Sequence, residues 1–471
     1  MKPSRSNKWG TRSVSHFLIP DAALSTDLYE LTMAAAYFDN HENGTATFEL
    51  FVRNLPKNRS YLLAAGLEQA VNYLTRLRFT EEHVKYLERH PSFKHVSKGF
   101  FDYLLGFRFG GEVFALPEGT VFFTDEPILR VRAPIIEAQI VETYLLGIMN
   151  FETLIATKAS RVVQSARGRG VVEFGSRRAH GPEAALLAAR ASYIGGCIGS
   201  SNVLAGYLFG IPTYGTMAHS YIMSYDTEEE AFEKFCKVFP SNPALLLDTY
   251  DTVEGAKKAI SGKVKPTLVR LDSGDRFSLS QQVRKMLDRA GLNNTKIFVS
   301  GDLNEFILDD FTSRSAPMDQ FGVGTELVTS RDDPALSGIY KLVALERDGK
   351  EVYRAKTSEG KRTIPGPKQI YRRFSASGEI VEDTLSLEDE KAPNGTIPLL
   401  TKVLENGRLV YSLPKIDEIQ EKAKKGVASL PAKYKKLTGS ETPPVRLSQR
   451  LSDLTDSLWK SHNTTGIQGH H

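Results

Sequence analysis

The chain has 471 residues, of which 41% are hydrophobic and 25% are charged, a composition typical of a globular protein and not of a disordered or fibrous one. At about 100 to 200 residues per domain, this length predicts two or three domains. The 60 basic and 56 acidic residues leave a net charge of +4, which is too small to predict a nucleic-acid partner.

Signals for export or membrane insertion are missing from the sequence. The basic N-terminal residues precede no apolar segment of the kind found in a secretory signal, and no run of about 18 apolar residues occurs. Cys197 and Cys236 are the only cysteines, and they lack the spacing of a disulfide framework or a zinc cluster. We therefore expect a cytoplasmic protein with no membrane partner, in which residues 1–20 form a mobile lead-in.

Residues 21–134 predict the first part of a mixed α+β domain. Apolar residues at helical spacing predict a helix that starts near Ser25. Alternating residues over 45–55 predict a half-buried strand, and a helix over 61–76 follows it. Three short strands, separated by turn residues, are expected over 111–134.

Residues 135–335 predict an α/β barrel, because helical segments alternate there with short apolar runs. Each run ends in small or polar residues, and the six runs are VVEFGS, IPTYGT, ALLLDTYDT, TLVRLDSGD, KIFVSGD and QFGVGT. This alternation predicts parallel strands joined by helices, in a closed barrel or an open doubly wound sheet. In both architectures, ligands bind at the carboxyl ends of the strands.

The last part of the chain predicts a return to the mixed domain. Residues 336–415 show strand-like patterns, which suggests that they complete that domain. Residues 416–471 are charged, contain the run KAKKG and predict a C-terminal helix or two with a loose tail.

The usual motifs of P-loop, dinucleotide-binding, zinc-protease and hydrolase sites do not occur in the sequence, so another kind of site is expected. The run RLDSGD ends one predicted strand with two carboxylates, Asp272 and Asp275. Carboxylates at this position suit ribose hydroxyls or Mg²⁺, since hard cations prefer oxygen ligands. The alternative is an ordinary turn in which Asp272 is the N-cap of the next helix.

Glycines at the ends of the next two strands predict a phosphate site. Ser300 and Gly301 follow one strand, and Gly322, Gly324 and Thr325 end the other. Glycine allows backbone N–H groups to approach an anion closely, and a helix N-terminus favours negative charge.

Two other segments place cationic or titratable side chains at strand ends. The loop EFGSRRAHG contains Arg177 and Arg178, which can hold a diphosphate or a carboxylate through paired hydrogen bonds. The segment IPTYGTMAHS is interpreted as the end of a buried strand that exposes Thr216 and His219. Each of these features alone is also compatible with solvated arginines or a hydrogen-bonded histidine.

Eight ordered segments over residues from about 20 to 415 resemble the nicotinate phosphoribosyltransferase family: TDLYELTM, FELFVR, EFGSRRAHG, GTMAHS, VRLDSGD, GVGTELVTS, GIYKLVAL and PGPKQIYR. The resemblance implies an enzyme that joins nicotinate to 5-phosphoribosyl 1-diphosphate in NAD salvage, giving nicotinate mononucleotide and diphosphate. It implies ATP hydrolysis coupled through a phosphohistidine, Mg²⁺ as cofactor, and a homodimer with the active site at the subunit interface. The implied fold is an irregular TIM-like α/β barrel flanked by a mixed α+β domain built from both ends of the chain.

The same resemblance implies roles for individual residues. His219 would be the catalytic phosphate acceptor, and Tyr29 would face the pyridine ring. The other residues implied to bind substrates are Arg178, Thr216, Arg270, Asp272, Ser300, Gly301, Gly322, Gly324 and Thr325, with Asp272 and Asp275 as Mg²⁺ ligands. Ser220 stands where many relatives carry an acidic residue.

Other functions remain open from the residues themselves. A nicotinamide or quinolinate phosphoribosyltransferase is one alternative, but the single Arg270 suits a base with one carboxylate. A barrel enzyme of another class, such as a sugar-phosphate isomerase, would share GVGT but would not need GTMAHS or TDLYELTM. A non-catalytic binding protein is disfavoured by the polar and charged residues at the strand ends.

Overall fold

The computed structural model describes residues 21–358, 360–439 and 441–464, so the expected lead-in over 1–20 and the end of the expected tail lie outside the described residues. Numbered in chain order, the helices are α1 (Leu28–Asp39), α2 (Leu67–Arg76), α3 (Glu81–Arg89), α4 (Lys98–Gly106), α5 (Ile135–Ile140), α6 (Glu142–Ser165), α7 (Pro182–Ile194), α8 (Val203–Phe209), α9 (His219–Met223), α10 (Glu228–Val238), α11 (Thr252–Ser261), α12 (Arg276–Arg289), α13 (Glu305–Ser313), α14 (Thr325–Val328), α15 (Ile416–Ala428) and α16 (Gln449–Thr464). The strands are β1 (Thr45–Val52), β2 (Leu62–Leu63), β3 (Glu112–Ala115), β4 (Val121–Phe122), β5 (Pro127–Pro134), β6 (Gly170–Glu173), β7 (Gly199–Ser200), β8 (Ala244–Leu246), β9 (Leu268–Leu271), β10 (Lys296–Val299), β11 (Gln320–Val323), β12 (Gly338–Arg347), β13 (Lys350–Tyr353), β14 (Lys368–Phe374), β15 (Ile380–Leu387), β16 (Thr396–Pro398), β17 (Thr401–Glu405), β18 (Arg408–Leu409) and β19 (Val445–Leu447).

The chain divides into two compact units, each with its own hydrophobic core. The first unit takes the residues up to Leu154 and again from Ala335, and the second unit is Ile155–Pro334. The predicted barrel began earlier, at residue 135. Residues 135–154 group with the first unit because helix α5 packs on α1 and β5.

The main sheet of the first unit has seven antiparallel strands in the order β13-β12-β1-β5-β3-β17-β18. Strand β1 lies near its centre, where Phe48 pairs with Leu342 on one side and with Val131 on the other. Every residue of β1 after Thr45 is buried. The prediction of a half-buried strand was therefore wrong, because both faces of this strand are covered.

Two smaller sheets complete the first unit, with the strand orders β16-β14-β15-β19 and β2-β4. The pairing of β2 with β4 shortens the helix predicted over 61–76, which begins only at Leu67. Gly66 precedes this helix with a φ of 99°, in the left-handed region that glycine tolerates.

The second unit contains a sheet of six parallel strands in the order β7-β6-β11-β10-β9-β8. Its strands are two to four residues long and mostly buried, and helices connect most of them in sequence. The fold class is α/β as predicted: an irregular TIM-like barrel together with a mixed α+β unit built from both ends of the chain. No helix in the part of the chain that the structure describes is long and apolar enough to span a bilayer.

One predicted strand of the barrel is not formed. The segment IPTYGT contains only an isolated bridge between Thr213 and Ser200, and β7 takes the place of the sixth strand. The Ser200 N–H donates to the carbonyl of Pro212 at 3.1 Å, and Tyr214 N–H donates to the Ser200 carbonyl at 2.9 Å. Pro212 has no N–H of its own, so the segment cannot continue as a regular ladder there.

Candidate active site

The carboxyl ends of the parallel strands place most of the predicted site residues at one edge of the second unit. The register pairs Leu271 with Val299, Val299 with Phe321, and Val323 with Glu173. The loops that follow β9, β10, β11 and β6 are therefore neighbours, in that order. This is the edge at which parallel α/β folds bind ligands.

Arg270, on β9, is the centre of a hydrogen-bonded group of predicted site residues. Its guanidinium donates to Thr216 Oγ1 at 3.1 Å through Nη1 and to Ser300 Oγ at 2.8 Å through Nε. Nη2 donates to Asp272 Oδ1 at 2.6 Å. We call this set the Arg270 network: Thr216, Arg270, Asp272 and Ser300. It brings together side chains from three separate segments.

Asp272 is ionised within this network. Burial alone would raise the pKa of its carboxyl, but the charge of Arg270 and hydrogen bonds from Ser300 and Arg270 lower that pKa below its ordinary value. Asp272 is not the N-cap of helix α12, so that alternative was wrong. The N-cap is Asp275, whose carboxylate accepts from the N–H and the hydroxyl of Ser278.

His219 lies beside the network at the start of α9. Its Nδ1 is 3.2 Å from Thr249 Oγ1, and its Nε2 is 4.0 Å from Asp272 Oδ2. The side chain is 41% exposed, so a reactant can reach the ring. Among the described residues, Nε2 is the ring nitrogen without a close hydrogen-bond partner.

Asp248 is a site residue that the sequence interpretation missed. Its Oδ2 accepts from the Asp272 N–H at 2.9 Å and from the Ser273 hydroxyl at 2.6 Å. Its Oδ1 is buried and has no hydrogen-bond partner among the described atoms. A signal was available, because Asp248 ends the run ALLLD as Asp272 ends RLD.

The loop after β10 has a backbone that requires glycine. Gly301 has a φ of 88°, and a Cβ at this position would lie 2.0 Å from the Asp272 carbonyl oxygen. Arg276 Nη1 donates to the carbonyls of Ser300, at 3.2 Å, and of Gly301. Arg276 was not predicted as a site residue, yet it holds this loop in place.

The loop after β11 is closely packed against the loop after β6. A Cβ at Gly322 would lie 2.8 Å from the Phe174 ring, and a Cβ at Gly175 would lie 2.4 Å from Val328. Gly324 precedes the short helix α14, which begins at Thr325. The predicted phosphate loop and the predicted arginine loop are therefore in contact.

The buried carboxylate of Glu173 is hydrogen-bonded to the backbone of the arginine loop. It accepts one hydrogen bond from the Gly175 N–H and another, of 2.5 Å, from the Ser200 hydroxyl. Burial raises the pKa of Glu173, and the two hydrogen bonds partly offset that rise. Arg178 follows in this loop with its side chain exposed.

Tyr29 belongs to the first unit, on helix α1, and its side chain is 47% exposed. Its hydroxyl is hydrogen-bonded to Glu142, and partial burial together with nearby carboxylates raises the pKa of the phenol. The next residue, Glu30, is buried and accepts from the Thr143 N–H at 2.9 Å and from the Thr26 hydroxyl. Burial raises the pKa of Glu30 to about 7.

Within the described ranges, no group of three or more His, Cys, Asp or Glu side chains forms a ready-made metal site. The two predicted Mg²⁺ ligands differ in their surroundings. In Asp272, Arg270 is hydrogen-bonded to Oδ1, and Oδ2 faces His219 at 4.0 Å. Both carboxylate oxygens of Asp275 accept hydrogen bonds from Ser278 at the start of α12.

Comparison with family models accounts for most of the chain. Residues 24–150 match the N-terminal domain of nicotinate phosphoribosyltransferase, and residues 392–455 match its C-terminal domain. Residues 155–332 match the C-terminal domain of quinolinate phosphoribosyl transferase.

Curated relatives match over nearly their full lengths. A nicotinate phosphoribosyltransferase of Mycobacterium tuberculosis is 44% identical over 91% of this chain and 92% of its own length. The nicotinate phosphoribosyltransferase of Bacillus subtilis is 39% identical over 91% of this chain and 93% of its own. The human nicotinate phosphoribosyltransferase is 30% identical over 92% of this chain and 96% of its own.

Solved structures agree with these relatives. The crystal structure of human nicotinic acid phosphoribosyltransferase matches with a TM-score of 0.81 at 29% identity, covering 92% of this chain and 99% of that one. The nicotinate-nucleotide pyrophosphorylase of Pyrococcus furiosus matches with a TM-score of 0.69 at 27% identity, covering 87% and 98%. From the extent and identity of these matches, the chain belongs to the nicotinate phosphoribosyltransferase family.

Proposed function

We propose that this enzyme transfers the 5-phosphoribosyl group of 5-phosphoribosyl 1-diphosphate to nicotinate, giving nicotinate mononucleotide and diphosphate for NAD salvage. The observation that carries the proposal is the Arg270 network, which fixes a guanidinium at the mouth of the barrel next to glycine-containing loops. A cation beside backbone N–H groups suits a substrate pair in which one partner is a carboxylate and the other is phosphorylated.

Nicotinate is the proposed base because one guanidinium matches one carboxylate. Arg270 has five N–H donors, and its bonds within the protein leave a donor for the substrate. Thr216, held by Arg270, is the second proposed contact to nicotinate. Quinolinate would need further cations for its second carboxylate, and the amide of nicotinamide would need an acceptor.

The transfer itself requires positioning and charge stabilisation more than proton transfer. The pyridine nitrogen has a free lone pair, so it attacks C1 of the ribose directly while the bond from C1 to the diphosphate oxygen breaks. Arg178 is proposed to stabilise the departing diphosphate. The residues proposed to hold the ribose 5-phosphate, which stays on the product, are Ser300, Gly301, Gly322, Gly324 and Thr325. No general base is needed in this step.

Mg²⁺ is proposed as the cofactor, and the carboxylates near His219 fit it. Asp272 is ionised, and the buried Oδ1 of Asp248 has no hydrogen-bond partner among the described atoms. Hard cations take such oxygen ligands. When bound, Mg²⁺ would supply positive charge to the diphosphate. We assign the metal to Asp272 with Asp248, and not to Asp275, whose carboxylate caps a helix.

His219 is proposed as the acceptor of the γ-phosphoryl group of ATP. Nδ1 lies near Thr249, so Nε2 is the proposed nucleophile. The bond between the γ-phosphorus and the ADP oxygen would break as the phosphorus–nitrogen bond forms. The phosphorylated ring would carry about −1.5 to −2 charge, as other phosphorylated side chains do. This charge would order the diphosphate end of the site and couple ATP hydrolysis to product formation.

A homodimer is proposed from exposed apolar side chains. Helix α8 exposes Val203 by 77%, Leu204 by 50% and Tyr207 by 64%, and α1 exposes Leu28 and Tyr29 by 45% and 47%. Exposed apolar side chains grouped on one helix are typical of interaction surfaces. We propose that Tyr29 reaches the nicotinate site of the partner subunit. A cytoplasmic location is proposed because both cysteines are free and buried.

Product detection tests the proposed function. The enzyme is incubated with 5-phosphoribosyl 1-diphosphate, Mg²⁺ and nicotinate, nicotinamide or quinolinate, with and without ATP. We expect a mononucleotide from nicotinate, formed faster with ATP, and little product from the other two bases. Preferred turnover of nicotinamide or quinolinate would refute the choice of base, and no product from any of them would refute the reaction.

A further inference from the structure

The charged run KAKKG has no role in the proposed reaction, but the structure gives it a defined position. It lies on helix α15, which packs closely on the loop before β4. Gly119 has a φ of 79°, and a Cβ there would lie 2.6 Å from the Ile419 carbonyl oxygen. A Cβ at Gly426 would lie 3.2 Å from Val121. These two glycines let the helix and the loop touch, which holds the helix in place.

A groove of about 440 Å³ opens beside this contact, within the first unit. We call it the C-terminal groove. The lining includes three large apolar side chains, those of Phe374, Ile397 and Leu399, and three cationic side chains, those of Arg372, Lys422 and Lys425. No Asp or Glu is among the described lining residues. Phe374 and Ile397 are 38% and 50% exposed, so part of the apolar wall faces solvent. This volume is in the range of small-molecule sites.

Arg372 is already paired with a carboxylate. Its side chain is buried and donates to Asp383 through Nε at 2.9 Å and through Nη2 at 2.5 Å. Arg372 therefore adds to the positive field of the C-terminal groove without being available as a flexible ligand. The charge that remains for a ligand comes from the two lysines.

Lys422 and Lys425 are three residues apart on α15, so they share a face of the helix. Neither lysine forms a salt bridge with a described residue, and the Lys422 Nζ donates only a long hydrogen bond, 3.4 Å, to the Pro117 carbonyl. Lost hydration within the groove and the charge of Arg372 lower the pKa of Lys422 to about 8, with Glu118 acting in the opposite sense. An anion beside the Lys422 amine would offset the positive charge of Arg372.

We propose that the C-terminal groove binds a phosphorylated small molecule with a flat apolar body. The phosphate would lie between Lys422 and Lys425, and the apolar body would lie on Phe374, Ile397 and Leu399. Two lysines supply two compact positive charges, which match a phosphate dianion better than a single carboxylate. The groove shares none of the residues of the Arg270 network, so this proposal does not depend on the proposed transfer reaction.

Pyridoxal 5′-phosphate is a suitable probe, because it has a phosphate, a flat ring and an aldehyde that reports a nearby amine. The neutral amine of Lys422 adds to the aldehyde carbon, water leaves and an imine forms. Borohydride then delivers hydride to the imine carbon and makes the link permanent for mapping by mass spectrometry. We expect most of the label on Lys422 in the full-length protein at low probe concentration.

Two variants and two competitors decide the outcome. Lys425→Met should slow labelling of Lys422 at least fivefold, whereas Lys424→Met, on the same helix but not lining the groove, should leave the rate unchanged. Phenyl phosphate should protect Lys422 at a concentration at least tenfold lower than inorganic phosphate does. Equal labelling of Lys422 and Lys424, no effect of Lys425→Met, or equal protection by the two competitors would overturn the proposal. Turnover of nicotinate by Lys422→Met is measured in parallel and should match the wild type, so a failure of the proposed reaction appears separately.

Discussion

Arg270 Nη1 donates a hydrogen bond of 3.1 Å to Thr216 Oγ1, which joins two segments 54 residues apart in the chain. Thr216 belongs to a segment that forms no regular strand, so backbone pairing does not position it at the site. The guanidinium of Arg270 positions Thr216 instead, and it also orients Asp272 and Ser300. One side chain therefore sets the arrangement of the Arg270 network.

Replacing Arg270 with Lys tests this dependence. Lys keeps the charge but cannot donate to three side chains in fixed directions. Hydrogen bonds to charged groups contribute about 1.5 to 3 kcal/mol each, so the loss of one such bond should lower kcat/KM for nicotinate about 10- to 150-fold. Steady-state kinetics measure this fall. Arg284→Lys, which changes an arginine hydrogen-bonded to Asp288 on α12, is the control and should alter kcat/KM less than twofold. An unchanged KM for nicotinate in Arg270→Lys would contradict the assignment.

Replacing His219 with Ala separates ATP coupling from phosphoribosyl transfer. The variant should lose ATP stimulation but retain slow ATP-independent transfer, because the pyridine nitrogen still attacks C1 without a base. Incubation with ATP labelled in its γ-phosphate should give acid-labile label in the wild type and in His95→Ala, a control at an exposed histidine, but not in His219→Ala. Full ATP stimulation of the His219 variant would exclude the phosphohistidine.

The raised pKa of Glu30 predicts how stability changes with pH. Because the pKa rises from 4.5 in the ordinary carboxyl to about 7 in the fold, the folded state binds the proton more tightly. The stabilisation by this proton is complete below pH 4.5 and is lost as the pH rises to about 7. Glu30→Gln should remove this loss, so its Tm should fall less than that of the wild type between pH 5 and 8. Thermal unfolding across that range measures the difference. Glu81→Gln, at an exposed glutamate, should follow the wild type, and parallel curves for Glu30→Gln and the wild type would refute the prediction.

Mixing two impaired variants tests whether the site is shared between subunits. If Tyr29 acts in the site of the partner subunit, Tyr29→Ala and His219→Ala homodimers should each be impaired. A heterodimer formed by refolding or co-expression would contain one site with both residues intact and should recover ATP-stimulated turnover. Light scattering on the same samples measures the oligomeric state. A monomer, or a mixture with no recovered activity, would show that each chain completes its own site.

Most of the barrel could be predicted because its strands are short apolar runs that end in polar residues. Five of the six predicted runs form strands, and the exception, IPTYGT, contains Pro212, which cannot donate to a ladder. The strand that replaces it, β7, has two residues, Gly199 and Ser200, and is too short to show a period. The burial of β1 on both faces also depends on tertiary packing that alternation along a strand does not report.

The site could be predicted at the level of residue types and strand ends, but not at the level of contacts. Asp248 was missed because its role depends on the parallel pairing of Leu246 with Arg270, which brings two strand ends together. Glu173 was missed as a support because its partner Ser200 lies on a strand that the sequence does not reveal. Such contacts depend on register between segments distant in the chain.

The pairing of Phe48 with Leu342 has a consequence for biosynthesis. As the chain leaves the ribosome, β1 appears early, yet one of its neighbours is made only after the whole second unit. The second unit, which is continuous, can complete its own sheet first. Until β12 is made, the edge of β1 that will pair with it is open to unwanted pairing with other nascent chains. We therefore expect a chaperone that shields residues 45–52 until β12 emerges to raise the yield of this enzyme.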